Sequence, residues 1–85
     1  MIVTIRGILT HKMPEEIVVE TGGLGYACRI SINTYDQLPK PGGEVSLLTY
    51  FQVSENKQSL FAFSDNTERE LFLMLIGVSG IGPKT

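Results

Sequence analysis

Five runs of strand-forming residues fall between Met1 and Phe63, each bounded by a turn cluster, and that spacing points to a small barrel or sandwich. The third run is the plainest. Tyr26, Cys28, Ile30 and Ile32 recur at every second position, with Ala27, Arg29 and Ser31 between them. Alternation of this kind predicts a strand with one buried face. Gly22-Gly23 precedes it and supplies a tight turn, because glycine takes positive φ without a Cβ penalty. The first run, Ile2 to Thr10, alternates Val3 and Ile5 with Thr4 and Arg6 until Gly7, where a bulge or barrel bend is expected. Glu16 to Thr21 forms the second run. Val45 to Val53 is the fourth, with Val45, Leu47, Thr49, Phe51 and Val53 on one face, and Ser59 to Phe63 is the fifth. Ser54-Glu55-Asn56-Lys57 reads as a polar hairpin tip between them. Asn33 to Leu38 reads as a turn or a single helical turn, and Pro39 to Gly43 as a loop that no sheet interior would accept.

Strands in this order, with a short segment between the third and fourth, match a mainly β, five-stranded OB-fold, a Greek-key barrel that removes its edges by closure. A five-stranded SH3-like barrel is the rival architecture. After Phe63 the period changes. Asp65 offers an N-cap and Glu68 stands three residues on, a capping box worth about 1 kcal/mol. Leu71, Phe72, Leu75 and Ile76 then form the expected apolar stripe of a helix, with Gly77 as its stop. The division expected is a barrel domain over 1–63 and the start of a helical domain over 64–85. At 85 residues there is no room for two complete domains.

Beyond the helix, Gly80-Ile81-Gly82-Pro83-Lys84 is a glycine-rich turn with a basic residue beside it. Glycines let backbone amides approach a phosphate, Pro83 suits the first position of a following helix, and Lys84 adds a cation. A ligand-free turn between two helices would read the same way. The P-loop pattern is nearly met by Gly77, Gly82, Lys84 and Thr85, but Pro83 separates Gly82 from Lys84 and removes a needed N–H. With only Lys84 and Thr85 after Pro83, a second helix cannot form alone, so the chain is expected to be a truncated piece of a longer protein. The net charge of −2 argues against binding nucleic acid by bulk electrostatics. Local backbone donors would have to carry such a function.

Gly80 to Lys84 is also the core of the helix-hairpin-helix motif, which binds the DNA backbone without reading sequence. Together with the Ile5-Arg6-Gly7 opening, Gly22-Gly23-Leu24-Gly25-Tyr26, Leu38-Pro39, Gly43, Phe61, Phe63, Glu68-Arg69 and Leu71-Phe72, it makes the whole chain resemble the N-terminal part of the RuvA family. The resemblance implies a DNA-binding subunit of the bacterial Holliday-junction branch-migration complex, acting in recombination, DNA repair and the SOS response. It implies a homotetramer that holds a four-way junction open and square-planar while the hexameric RuvB ATPase pumps the DNA. RuvB would bind through a C-terminal region beyond this chain, and the RuvC resolvase would act in the same pathway. It also implies backbone phosphate contacts at Gly80, Ile81 and Gly82, with Lys84 as the nearby cation. The hairpin tip falls where the family carries an acidic pin facing the junction centre. Here Glu55 keeps one acid, Asn56 replaces the second, and Lys57 follows. A weaker pin is expected.

Other residues take plainer readings. His11 has no second ligand nearby in the sequence and reads as a surface loop residue, and Cys28 reads as a small core hydrophobe. Tyr26, Tyr35, Tyr50, Phe51, Phe61 and Phe63 could stack bases, but their strand spacing favours packing. Arg29, opposite the apolar face of its strand, is the best barrel candidate for a phosphate contact, although a plain surface arginine is the commoner reading of such a position. No nucleophile with a base, carboxylate dyad or metal cluster is apparent, so neither enzyme activity nor a cofactor or metal is expected. A lone cysteine and no long apolar run favour a cytoplasmic protein with no membrane partner. Two other functions fit the barrel: a single-strand-binding OB module, and a non-catalytic assembly domain.

Overall fold

The computed structural model describes residues 3–76, and within them five strands close into one barrel. The strands are β1 (Thr4–Lys12), β2 (Glu16–Thr21), β3 (Leu24–Arg29), β4 (Glu44–Ser54) and β5 (Lys57–Phe63). Helix α1 (Ile32–Gln37) joins β3 to β4, and α2 (Asn66–Leu75) follows β5. The circuit runs β1-β2-β3-β5-β4 and back to β1, antiparallel throughout except where β3 meets β5. This order, with the helix between β3 and β4, is the OB-fold arrangement.

Closure depends on β1 serving two partners. Thr4 to Ile8 pair with β4, and Ile8 to Lys12 pair with β2. At the changeover, Gly7 has no side chain because a Cβ there would run into the carbonyl oxygen of Glu20. The bulge expected at Gly7 instead lies at Thr10, where the register with β2 shifts between Leu9 and His11. Gly7 allows the close approach of β2 and Thr10 supplies the bulge, both beside the point where β1 changes partner. His11 consequently belongs to a strand rather than to a loop, with its side chain exposed.

Alternation fills the interior with Ile5, Leu9, Ile17, Val19, Cys28, Val45, Leu47, Leu60 and Ala62. The Gly22-Gly23 turn takes φ of 61° and 86°, joining Thr21 to Leu24 in a two-residue hairpin. The expected face of the third strand ends early: Tyr26, Cys28 and Ile30 point inward, but Ile32 is 74% exposed and opens α1. Ser31 causes the break, because its Oγ accepts the Thr34 N–H and caps the helix.

Helix α2 differs more from the expected pattern. Of the stripe Leu71, Phe72, Leu75 and Ile76, only Phe72 packs on the barrel; Leu71 is 56% and Leu75 is 85% exposed. The face turned to the barrel runs through Glu68, Arg69, Phe72 and Leu73, all partly buried, at the i, i+1, i+4, i+5 spacing of one helix side. Two polar residues take positions that a hydrophobicity pattern assigns to the solvent face. The phenyl ring of Phe72 sits over three barrel aromatics, with centroids 4.8 Å from Phe61, 5.2 Å from Phe63 and 6.1 Å from Tyr50. Tyr50 is thereby buried on the outer face of β4, opposite Thr49 on the inner one. Among the described residues no helix is long and apolar enough to cross a membrane.

Candidate nucleic-acid interface

The β4–β5 ladder continues past the end of the core. Phe51 pairs with Leu60 at the core's last layer, and Gln52–Ser59, Val53–Gln58 and Ser54–Lys57 then pair with little beneath them. Three further pairs at about 3.4 Å per residue carry the hairpin about 10 Å beyond the barrel. Val53 shows the change of environment: it continues the inward alternation of Leu47 and Thr49, yet is 60% exposed. Its expected place in the apolar face is therefore not realised. Glu55 and Asn56 form the turn itself, both exposed, and the Ser54 hydroxyl donates to the Lys57 carbonyl at 3.3 Å. Lys57 belongs to β5 rather than to the tip.

One side of this hairpin descends into a groove of about 330 Å³ on the outer face of the barrel. Alternation brings Gln52 and Ser54 of β4 and Lys57, Ser59 and Phe61 of β5 to that face, and Arg29 joins them from β3, where it pairs with Phe61. Arg29 is exposed, and so is Lys57. Sequence reasoning singled out Arg29 but had no means to place it beside Lys57, because the contact joins strands 28 positions apart through a parallel pairing with no local signature.

A second polar assembly fixes α2 on the barrel. Asp65 caps the helix by accepting the Glu68 N–H at 2.8 Å. The reciprocal half of the expected capping box is not formed, because the Glu68 carboxylate turns away to accept from the hydroxyls of Ser31 and, at 2.8 Å, of Thr34. Thr34 is fully buried and its hydroxyl oxygen also accepts the Ser64 N–H at 3.1 Å. Next to Glu68, the Arg69 Nε donates to the Thr49 carbonyl at 2.9 Å. Consecutive charged residues thus hold one helix to α1 and to β4. The signal for this was Ser31-x-x-Thr34, a cap pattern whose hydroxyls can donate to a long-range carboxylate.

Gly80, Ile81, Gly82 and Lys84, together with Gly77, lie outside the described residues. Within those residues the tip residues Glu55 and Asn56 and the groove around Arg29 share the β4–β5 hairpin. Cys28 lies fully buried, and burial pushes its thiol from 9.0 to about 11, with Glu16 adding to the shift. It stays a neutral packing group. Among the described residues no group of three or more His, Cys, Asp or Glu side chains converges as a metal site.

A sequence-family model described as the RuvA N terminal domain matches residues 1–62. Three similar proteins bear the name Holliday junction branch migration complex subunit RuvA. They come from Chlorobium phaeobacteroides, at 45% identity, Geobacter metallireducens, at 46%, and Marinobacter nauticus, at 48%. Each alignment covers 99% of this chain, and 42%, 42% and 40% of the respective relative. The chain therefore spans about two fifths of the length of the curated relatives it matches.

Proposed function

This chain belongs to the RuvA family, and we propose that it is the barrel portion of a subunit that binds four-way junction DNA for branch migration. The supporting observation is the match over residues 1–62 together with 45–48% identity to proteins named for that complex. The barrel over 1–63 is one functional unit, and 64–85 begins a helical domain. Gly80, Ile81 and Gly82 present backbone amides to phosphates, and Lys84 adds its charge. This grip is indifferent to base sequence and to whether the duplex belongs to a junction.

Selectivity for the junction comes from the projecting hairpin. A homotetramer places one such tip per subunit at the crossover, where Glu55 repels phosphates and discourages a continuous duplex from occupying the centre. A single carboxylate at about 6 Å from a phosphate in high dielectric contributes under ~1 kcal/mol. Asn56 adds a hydrogen-bonding group in place of a second acid, and the Lys57 charge offsets that of Glu55. This pin is therefore mild. The subunit itself is non-catalytic; strand movement is driven by the RuvB ATPase, and RuvC cleaves the junction afterwards.

The test is a low-salt band-shift titration with a synthetic four-way junction and a linear duplex of matched length. It uses this chain joined to the C-terminal region of the Geobacter metallireducens relative. The joined protein is expected to prefer the junction, and Glu55→Gln to reduce that preference by a fewfold. Equal affinity for junction and duplex in the unmutated protein would overturn the proposal.

A further inference from the structure

We propose that the groove beside the β4–β5 hairpin holds the phosphodiester backbone of one nucleic-acid strand, with Arg29 and Lys57 engaging different phosphates along it. The inference rests on the DNA-binding reading above and assigns it a second contact surface, separate from Gly80 to Lys84.

Charge is the first argument. The chain carries nine acidic residues against seven Lys and Arg, yet the groove is lined by two cations and no carboxylate: Arg29, Lys57, Gln52, Ser54, Ser59 and Phe61. The acids nearest in the fold border it instead. Glu16 pairs across from Arg29 on β2 and Glu55 occupies the tip. Glu16 also lines the adjoining hollow together with Arg29, Lys57 and Ser59.

Availability is the second argument. Two cations of the described residues are already engaged: Lys12 donates to the Leu38 carbonyl and lies over the Tyr35 ring, and Arg69 donates to the Thr49 carbonyl. The side chains of Arg29 and Lys57, like those of Arg6 and Lys40, make no hydrogen bond or ion pair among the described residues, and of these four only Arg29 and Lys57 share one groove. Their ammonium and guanidinium groups are free for a ligand.

Geometry is the third. Arg29 pairs with Phe61, four residues along β5 from Lys57, which offsets the two backbone positions by about 14 Å along the strand direction at ~3.4 Å per residue. That separation suits successive contacts along one strand rather than chelation of a single phosphate. Between them Gln52, Ser54 and Ser59 supply neutral donors. The half-buried Phe61 ring, backed by Phe72 at 4.8 Å, offers a face on which a base can stack. A groove of about 330 Å³ is nucleotide-sized. The occupant is a strand leaving its duplex at the junction centre, guided down the flank of the same hairpin whose tip divides the arms.

The test measures junction affinity against salt for the joined protein and its Arg29→Gln, Lys57→Gln and Lys40→Gln variants. Lys40 is an exposed cation before β4, at the opposite end of that strand from the hairpin. Each groove variant is expected to bind about three- to tenfold more weakly at low salt and to flatten the log–log salt slope by about 1, whereas Lys40→Gln leaves both unchanged. Arg29→Lys keeps the slope, and matched thermal unfolding midpoints exclude a folding effect. Groove variants indistinguishable from Lys40→Gln, in a protein that still prefers junctions, overturn this inference alone. An unmutated protein without junction preference fails at the earlier step and takes the inference with it.

Discussion

From Val45 to Thr49, β4 alternates between a sealed interior and solvent, whereas from Gln52 to Ser54 the same strand is exposed on both faces. The backbone ladder to β5 continues unbroken through both stretches. The difference lies in what stands opposite. Val45 and Leu47 pack with Ile5, Leu9 and Ala62 in one core cluster, while Val53 lies outside that cluster and is 60% exposed. Hydrogen bonding can thus extend a ribbon past its core, and residues on that extension are released from packing and available for contact with another molecule.

Substitutions that separate stability from binding test this division. The largest loss of stability is expected inside the barrel: Ile17→Ala, at a fully buried site on β2, should destabilise by about 2–5 kcal/mol in denaturant unfolding. A smaller effect, about 1–3 kcal/mol, is expected for Thr34→Val, which keeps the volume but leaves the Glu68 carboxylate and the Ser64 N–H short of a partner. Combining it with Glu68→Gln should cost less than the sum of the two, since both act on one network. Additive losses would show that the clasp between α1 and α2 is not a unit.

The barrel was legible in the sequence because its information is local. Alternation of Tyr26 and Cys28, the paired glycines at 22 and 23, and the loop from Pro39 to Gly43 each specify conformation within a few residues. The misreadings arose where distant partners decide. Leu71 and Leu75 look like a core stripe, but Thr34 and Thr49, far earlier in the chain, draw Glu68 and Arg69 inward and rotate the helix about that contact. Val53 continues a perfect alternation past the point where its interior exists. At the candidate site the tip residues Glu55 and Asn56 could be placed from turn chemistry alone. The neighbouring Arg29 and Lys57 could not, because only barrel closure through the β3–β5 pairing brings them to one groove.

In the proposed function the projecting hairpin confers junction selectivity while the barrel confers stability. The most direct test exchanges Val53 to Gln58 for a two-residue Asn-Gly turn, joining Gln52 to Ser59 where they already pair. Thermal unfolding and band shifts on junction and duplex are then measured side by side in the joined protein. The expected result is an unfolding midpoint within a few degrees of the parent, retained duplex binding and loss of the preference for the four-way junction. A shortened protein that folds normally and still selects the junction as strongly as before would contradict it.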